Sequence, residues 1–406
     1  MGEEYIYQNI ISMRIGIVVN IDTVTLLPYL TEPADKELVN KYCSPNGAPA
    51  VNTLILSFLK HGHFLRIFTN AKKTFNIKTP QVEIYAIETY NKYPIKYLWG
   101  GFITAERLKN LMCDKLDDLD TLHAHWTYEY AYAASFYEKK LPVFCTIRDY
   151  AAYIWKIESW KNKISRIFKQ IMNDVVIKHK HMHFIANSPY TAHIAKNIYK
   201  KDIPIIPNSI KDSFIKQGEH IYPKEFTLVC ISSSNDKRKN IISLLKAFKL
   251  FRHKHQIGTL QLIGSPFIAE DSLIKRWKEK ELLDNVELIG RLPHNDIISY
   301  LDNCSIFITP SLEETFGNTL LESIVRKVPT IGGINSGAVP YVLHHGEAGF
   351  LCDVSKPECI FQTIEDLFLN PQKAQEKAEK GYKIIISEYS ESIVCQKHID
   401  LYKTYL

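Results

Sequence analysis

The sequence predicts an α/β protein of two domains, each a doubly wound parallel sheet, facing a central cleft. Three observations carry that prediction. Short apolar runs alternate with amphipathic stretches from one end of the chain to the other, the pattern of parallel sheets covered by helices on both faces. The 406 residues hold two or three domains at roughly 100–200 residues each. Near the middle, Pro204, Pro207, Asn208 and Ser209 form a breaker cluster, followed by the aperiodic stretch Ile210–Pro223. The boundary is placed there, and the sheet restarts at Thr227.

In the first half the expected strands are Ile15–Val19, Phe64–Phe68, Val82–Ile87, Thr121–Ala124, Val143–Ile147, His183–Ala186 and Ile203–Ile206. Helical periodicity separates them at Ala50–Lys60, Ala105–Cys113, Tyr128–Lys139, Asn162–Ile177 and Tyr190–Tyr199. The second half repeats the rhythm. Its strands are Thr227–Ser232, Thr259–Ile263, Val286–Ile289, Ser305–Ile308 and Thr330–Ile331. Its helices are Ile241–Phe251, Ser272–Glu281, Asp296–Asp302, Leu320–Lys327 and several after Pro357. Open α/β sheets bind ligands in the crevice beyond their strand ends.

Bulk properties narrow the function classes. A hydrophobic fraction of 46% and a charged fraction of 23% are those of a globular protein. The net charge of +6 suits anionic partners such as nucleotide phosphates, but it lacks the sharp basic cluster of a nucleic-acid-binding protein. None of the eight cysteines forms a C-x-x-C pair. Cys145, Cys230 and Cys304 lie in apolar runs, as reduced buried thiols of a cytoplasmic protein do. No apolar run reaches the ~18 residues that span a bilayer. The acidic start Met1-Gly2-Glu3-Glu4 is unlike a signal peptide, and Ile6 stands where a myristoylation motif wants Ser or Thr. These features predict a cytoplasmic protein.

There is no G-x-x-x-x-G-K-[ST] loop and no G-x-G-x-x-G fingerprint, which argues against a P-loop kinase or a nicotinamide dehydrogenase. The informative segment runs from Thr309 to Glu322, out of a strand and into a helix. Unpaired N–H groups at a helix start suit a phosphate, and Gly317 admits close backbone approach. Glu314 can accept hydrogen bonds from sugar hydroxyls, and Glu322 can hold a ribose diol. Plainer readings stand beside these. Thr319-Leu320-Leu321-Glu322 also fits a capping box, and Glu313-Glu314 also fits solvated loop charge.

Glu314 and Glu322, seven residues apart with Phe316-Gly317 between them, resemble the E-x7-E signature of family 4 glycosyltransferases, which have the GT-B fold of two Rossmann-like domains. Further segments are similar in the same order: Asn46-Gly47-Ala48-Pro49, Lys60-His61-Gly62-His63, Asp120-Thr121-Leu122-His123-Ala124-His125-Trp126, Ala186-Asn187-Ser188, Ile206-Pro207-Asn208-Ser209, Leu288-Ile289-Gly290-Arg291-Leu292 and Gly333–Pro340. The resemblance spans Arg14 to Tyr402.

It implies a retaining transfer of a hexose-type sugar from a nucleoside diphosphate to a glycan or lipid-linked acceptor, with no required metal or cofactor. It also implies an acceptor-binding domain at 1–209, a donor-binding domain at 210–388, and a C-terminal helix, 389–406, packing back on the first domain. Glu314 would contact the donor sugar. Phe316, Gly317, Asn318 and Thr319 would surround sugar and phosphate, and Glu322 would bind the ribose. Lys239, with Arg238 beside it, would hold the diphosphate. Gly47 and Arg291 would flank the donor, and His125 and Trp126 would face the acceptor.

The chain departs from the family pattern in two places. Ser232-Ser233 stand where a Gly-Arg phosphate clamp is usual, so either Lys237 or Arg238 substitutes or the clamp is weaker. Arg148-Asp149 stand where a His-Asp pair is usual. Arg148 cannot act as a base but can neutralise charge. Two rivals stay open: a GT-B-like sugar-nucleotide epimerase, and a non-catalytic sugar-nucleotide-binding or assembly protein, which Ser233 and Arg148 favour if no substitute clamp exists.

Two further patterns remain. His179, His181 and His183 alternate as three rings on one strand face would, yet without Cys or carboxylate partners at zinc-ligand spacing. The stretch Tyr153–Phe184 carries seven Lys/Arg and two acidic residues, with Trp155 and Trp160, and Ile164, Ile167, Ile171 and Val175 at helical spacing. A helix packed on the domain by that stripe is the ordinary reading. Docking on an anionic membrane is the alternative.

Overall fold

The computed structural model describes residues 12–43, 48–90, 92, 99–150, 160–268 and 271–406, with side chains in the helix that begins at Trp160 described from Arg166 on. The chain divides into two compact units. One comprises residues 1–155, 159–185 and 395–406, the other residues 156–158 and 186–394.

The first unit is built on seven strands: β1 (Arg14–Val18), β2 (Phe64–Ala71), β3 (Phe75–Lys78), β4 (Val82–Glu88), β5 (Thr121–His125), β6 (Val143–Ile147) and β7 (Met182–Ala186). Their order is β3-β4-β2-β1-β5-β6-β7. β3 pairs antiparallel with β4 at the edge. Strands β5 and β6 are buried along their whole length, as central strands covered on both faces must be. Helices α1 (Pro33–Tyr42), α2 (Pro49–Lys60), α3 (Gly100–Met112), α4 (Glu129–Ser135) and α5 (Trp160–Lys178) belong to this unit.

The second unit carries six parallel strands: β8 (Thr227–Ile231), β9 (Thr259–Ile263), β10 (Val286–Gly290), β11 (Ile306–Thr309), β12 (Thr330–Gly333) and β13 (Phe350–Cys352). The order β10-β9-β8-β11-β12-β13 reverses direction at the β8/β11 pair. Its helices are α6 (Pro189–Tyr199), α7 (Ile241–His255), α8 (Ser272–Glu279), α9 (Ile297–Asp302), α10 (Asn318–Ile324), α11 (Val339–Val342), α12 (Pro357–Leu369) and α13 (Pro371–Tyr389). Helix α14 (Glu391–Lys403) begins in the second unit and ends in the first. Alternate strand residues feed two cores. Leu228, Ile306 and Ile308 pack with Leu244, Leu245 and Phe248 of α7. Val229 and Phe307 pack with Leu320, Leu321 and Ile324 of α10. The loops at the carboxyl ends of β8 and β11 therefore start from strands fixed on both faces.

The structure corrects several sequence expectations. The predicted strand Ile203–Ile206 reduces to one bridge, Ala186 to Ile205. The unit boundary falls after Ile185 rather than after Ser209. The cause is bonding: Ser188 Oγ donates to the Thr315 carbonyl at 2.7 Å and Asn208 Nδ2 to Asn318 Oδ1 at 2.8 Å, which ties 186–209 to the second unit. The C-terminal division falls after Val394 rather than Glu388, because Glu391 accepts from the Asp212 N–H at 2.9 Å. The three histidines do not share a strand face, since β7 starts at Met182. His179 pairs instead with Glu138 at 3.0 Å, and His183 stacks on Tyr405 at 3.8 Å. Among the described residues no group of three His, Cys, Asp or Glu could hold a metal ion, and no helix is long and apolar enough to cross a membrane. All eight cysteines are free, with Cys145, Cys230 and Cys304 buried.

Candidate active site

In the second unit, two loops leave the carboxyl ends of neighbouring strands at the point where the strand order reverses. Residues 232–240 follow β8 and residues 310–317 follow β11. Ligands bind open α/β sheets at such switch points. The first loop is shaped by Asp236, whose carboxylate accepts from the N–H of Arg238 at 2.9 Å and of Lys239 at 3.2 Å. Asn240 then takes a left-handed conformation, φ 53°, and caps no helix N–H. Its amide instead donates to the carbonyls of Pro310 at 3.1 Å and Val354 at 2.7 Å. The Leu312 N–H donates to the Arg238 carbonyl at 2.8 Å. These bonds lock the two loops together.

The result is a cluster of charge. Lys239 Nζ donates to the Glu314 carboxylate, and each side chain is only 13% exposed. Arg238 lies 3.7 Å from the carboxylate of Glu313, which is buried. Burial pushes the Glu314 carboxyl up, but Lys239, Arg238 and a hydrogen bond from Ser311 outweigh it, so its pKa is lowered and it is ionised at neutral pH. The solvated-loop reading of Glu313-Glu314 is overturned.

The backbone of Glu314 is held as firmly as its side chain. Its carbonyl accepts from the Ala338 N–H at 2.8 Å, and it bridges to Gly337. Gly337 has φ +63°, and a Cβ there would lie 2.4 Å from the Glu314 carbonyl oxygen. Gly317, φ +98°, is the N-cap of α10, which starts at Asn318. Thr319 therefore lies inside the helix, so the capping-box reading of Thr319 and Glu322 fails. Phe316 is buried in the core, leaving only its backbone for a ligand. Helix α10 is two turns long, and Lys239 and Arg238 are the cations beside its N-terminal loop.

Glu322 lies on α10, buried, with His294 Nε2 at 2.8 Å from its carboxylate. His294 in turn stacks on Phe214 at 4.7 Å. Sequence reasoning missed His294, Glu313, Ser311 and Asn240. Asn240, which ends the loop beginning at Ser232, carried the one visible signal: an Asn at a strand-to-helix turn tolerates the left-handed region. Arg291 is exposed beyond β10, and Ser233 is exposed in the β8 loop. Gly47 lies outside the described residues.

The first unit brings its own predicted residues together. Arg148 Nε donates to His125 Nδ1 at 3.3 Å, and its guanidinium lies 5.9 Å from the Trp126 ring. Asp149 accepts from Tyr128 OH at 2.7 Å. Trp126 has φ +63°, a strained value for an aromatic residue. His125 is fully buried beside His123, ring centroids 4.3 Å apart, and its Nε2 has no partner among the described residues. Burial lowers the Arg148 guanidinium to about 10, which leaves it charged at neutral pH.

Residues 212–384 match the family model of glycosyl transferases group 1. The capsular polysaccharide biosynthesis glycosyltransferase CapM of Staphylococcus aureus is 27% identical over 170 residues, 42% of this chain and 44% of that protein. The chain thus spans less than half the length of that relative. The N-acetyl-alpha-D-glucosaminyl L-malate synthase of Bacillus anthracis is 23% identical over 369 residues, 87% of this chain and 93% of that protein. HepE of Anabaena, solved in complex with UDP and glucose, superposes with a TM-score of 0.69 at 14% identity, covering 97% of this chain and all of the other. Two parallel-sheet α/β domains of this kind make up the GT-B fold. The stretch similar to glycosyl transferases group 1 falls within the second unit.

Proposed function

We propose that the protein is a retaining glycosyltransferase that moves a hexose-type sugar from a nucleoside diphosphate to a glycan or lipid-linked acceptor, of the kind used in polysaccharide or glycolipid synthesis. The observation that carries this reading is the Lys239–Glu314 pair at the β8/β11 switch point, backed by Arg238 and Glu313. A cation and a carboxylate side by side suit a ligand that is anionic at one end and hydroxylated at the other.

In this reading Lys239 and Arg238 hold the diphosphate and take up the charge that develops on it as it leaves. Protein cations in that role make a metal unnecessary. Glu314 accepts hydrogen bonds from the sugar hydroxyls, and Glu322 holds the ribose diol, exchanging part of its bond to His294. The backbone at Gly317 and Asn318 lies against sugar and phosphate. The bond from the anomeric carbon to the diphosphate breaks, a bond from the acceptor oxygen to that carbon forms on the same face, and the acceptor proton passes to the departing diphosphate. The family resemblance assigns Arg148 and Asp149 of the first unit to catalysis, and His125 and Trp126 to the acceptor.

HepE's complexes with UDP and with UDP-glucose make the uridine form the first donor to test. The experiment is thermal unfolding with UDP, GDP, ADP and their sugars, because a ligand that binds only the native state raises Tm. One nucleotide should raise Tm well above the others, and its sugar should be turned over with acceptor. A shift without turnover would favour the non-catalytic binding protein, and no shift with any would refute the donor site.

A further inference from the structure

Helix α5 does not bury the stripe its sequence suggests. Its inward face is Met172, Asn173, Val176 and Ile177. Ile167, Ile171 and Val175, spaced four apart on one line, stand 49%, 46% and 40% exposed. The reading in which this stripe packs on the domain is overturned over these residues; Tyr153, Trp155 and the side chains of Trp160 and Ile164 lie outside the described ones.

The exposed stripe continues into an aromatic ladder. Phe168 lies 5.4 Å from Trp99, Trp99 lies 5.9 Å from Phe102, Phe102 lies 5.6 Å from Tyr132, and Tyr132 lies 5.5 Å from Phe136. Trp99 and Phe136 are more than half exposed. Lysines stand along the rim. Lys109 Nζ sits over the Phe136 ring and is paired with Glu106 at 2.7 Å, and Lys169 Nζ sits over the Tyr128 ring. At the other end Val175 borders a hollow of about 460 Å³, lined also by Lys139, Lys178, His179, Lys180 and His181. Glu138, the acidic residue of that hollow, is bonded to His179 Nδ1 at 3.0 Å and to the His181 N–H at 3.1 Å. The three lysines there are exposed.

Exposed aliphatic side chains, Trp and Phe at the same surface, and a lysine rim are what a water–lipid boundary takes. A protein partner fits less well, since protein interfaces are depleted of lysine. We propose that this face docks the first unit on an anionic lipid bilayer. Ile167, Ile171, Val175, Trp99 and Phe136 enter the headgroup layer, and the basic hollow takes lipid phosphates. The surface is made of first-unit residues and the donor site of second-unit residues, so the proposal stands or falls independently of the proposed chemistry.

The test is co-sedimentation of the full chain with vesicles of phosphatidylcholine alone and of phosphatidylcholine mixed with phosphatidylglycerol. Binding is expected to the mixed vesicles only, and to weaken in high salt. A basic residue near an anionic surface is worth roughly fivefold in partitioning, so Lys178→Ala with Lys180→Ala should lower it by about 25-fold. Ile167→Ser with Ile171→Ser should lower it by roughly tenfold or more. Ile171→Leu should restore the binding that Ile171→Ser loses. All of these positions are exposed, so Tm and the nucleotide-induced Tm shift should not move. Should the serine variants unfold, the lysine variants test the same face. Equal binding to both vesicle types, no binding to either, or full binding by both double variants would overturn the proposal. So would a wild-type dimer that Ile171→Ser splits without any loss of vesicle binding, which would make the face a contact between copies.

Discussion

Changing one partner of the Lys239–Glu314 pair should affect stability and turnover differently. Both side chains are 13% exposed, and they neutralise each other. Removing one partner of a buried pair costs roughly 3–5 kcal/mol because the other is left charged. Here the residual exposure, and Arg238 beside Glu314, put the expected loss near the lower end, about 3 kcal/mol for either Lys239→Ala or Glu314→Gln. Lys239→Ala removes a charged hydrogen bond to the leaving diphosphate, worth roughly 1.5–3 kcal/mol, so kcat/KM should fall about 10–150-fold. Glu314→Gln should lower kcat by about 10²–10³. It should not weaken binding of the nucleoside diphosphate, since Lys239 then loses its competing carboxylate. Initial rates with the donor, nucleotide binding by calorimetry, and Tm separate these effects. Combining both changes should cost less stability than the sum of the singles, as contacting residues do. Additive stability losses below about 0.5 kcal/mol, with near-normal turnover, would show that the pair is neither buried in solution nor catalytic.

Other consequences follow from the same geometry. Ser233→Arg, placed on the Lys239→Ala background, should recover part of its lost kcat/KM in the same rate assay, and silence of Lys239→Ala beside a severe Arg238→Ala would move the phosphate contact to Arg238. Gly337→Ala puts a Cβ 2.4 Å from the Glu314 carbonyl at φ +63°, so it should shift Glu314 and lower kcat by roughly 10²-fold, while a wild-type rate would show the loop yields freely. Burial holds His63 at about 4 and His398 at about 3, and holds His123 and His125 well below 6.5. The unfolded chain therefore binds more protons below pH 6.5, and stability is present above that pH and lost as pH falls. At about 1.4 kcal/mol per pH unit for each group, His63 and His398 alone should remove about 3–4 kcal/mol between pH 6.5 and 5. A urea midpoint constant over that range would contradict the burial of these rings.

The grouping of Lys239 with Glu314 was legible because its signals are local. A Glu after a strand, a glycine that must adopt positive φ, and a lysine at the next strand-to-helix turn all lie within short segments, and the fold brings Lys239 to Glu314. The central strands read clearly as continuous apolar runs. Edge elements did not: β3 pairs antiparallel and has polar Asn76 and Lys78 on its outer face, and β13 is three residues long. His294 could not be assigned to Glu322 from sequence, since the two meet only through tertiary packing 28 positions apart. The unit boundary was set by breakers at 204–209, whereas bonds from Ser188 and Asn208 to the 315–318 turn decide it. The stripe on α5 shows a limit of periodicity. Helical spacing marks one face, but whether that face is covered depends on what packs there.

The central claim is that a nucleoside diphosphate sits between the β8 and β11 loops, on Lys239 and Arg238. Hydrogen–deuterium exchange with and without saturating UDP, or whichever nucleotide raises Tm, tests it directly. Protection is expected in peptides covering 232–240 and 310–324. Protection confined to residues before 186, with both loops unchanged, would contradict it.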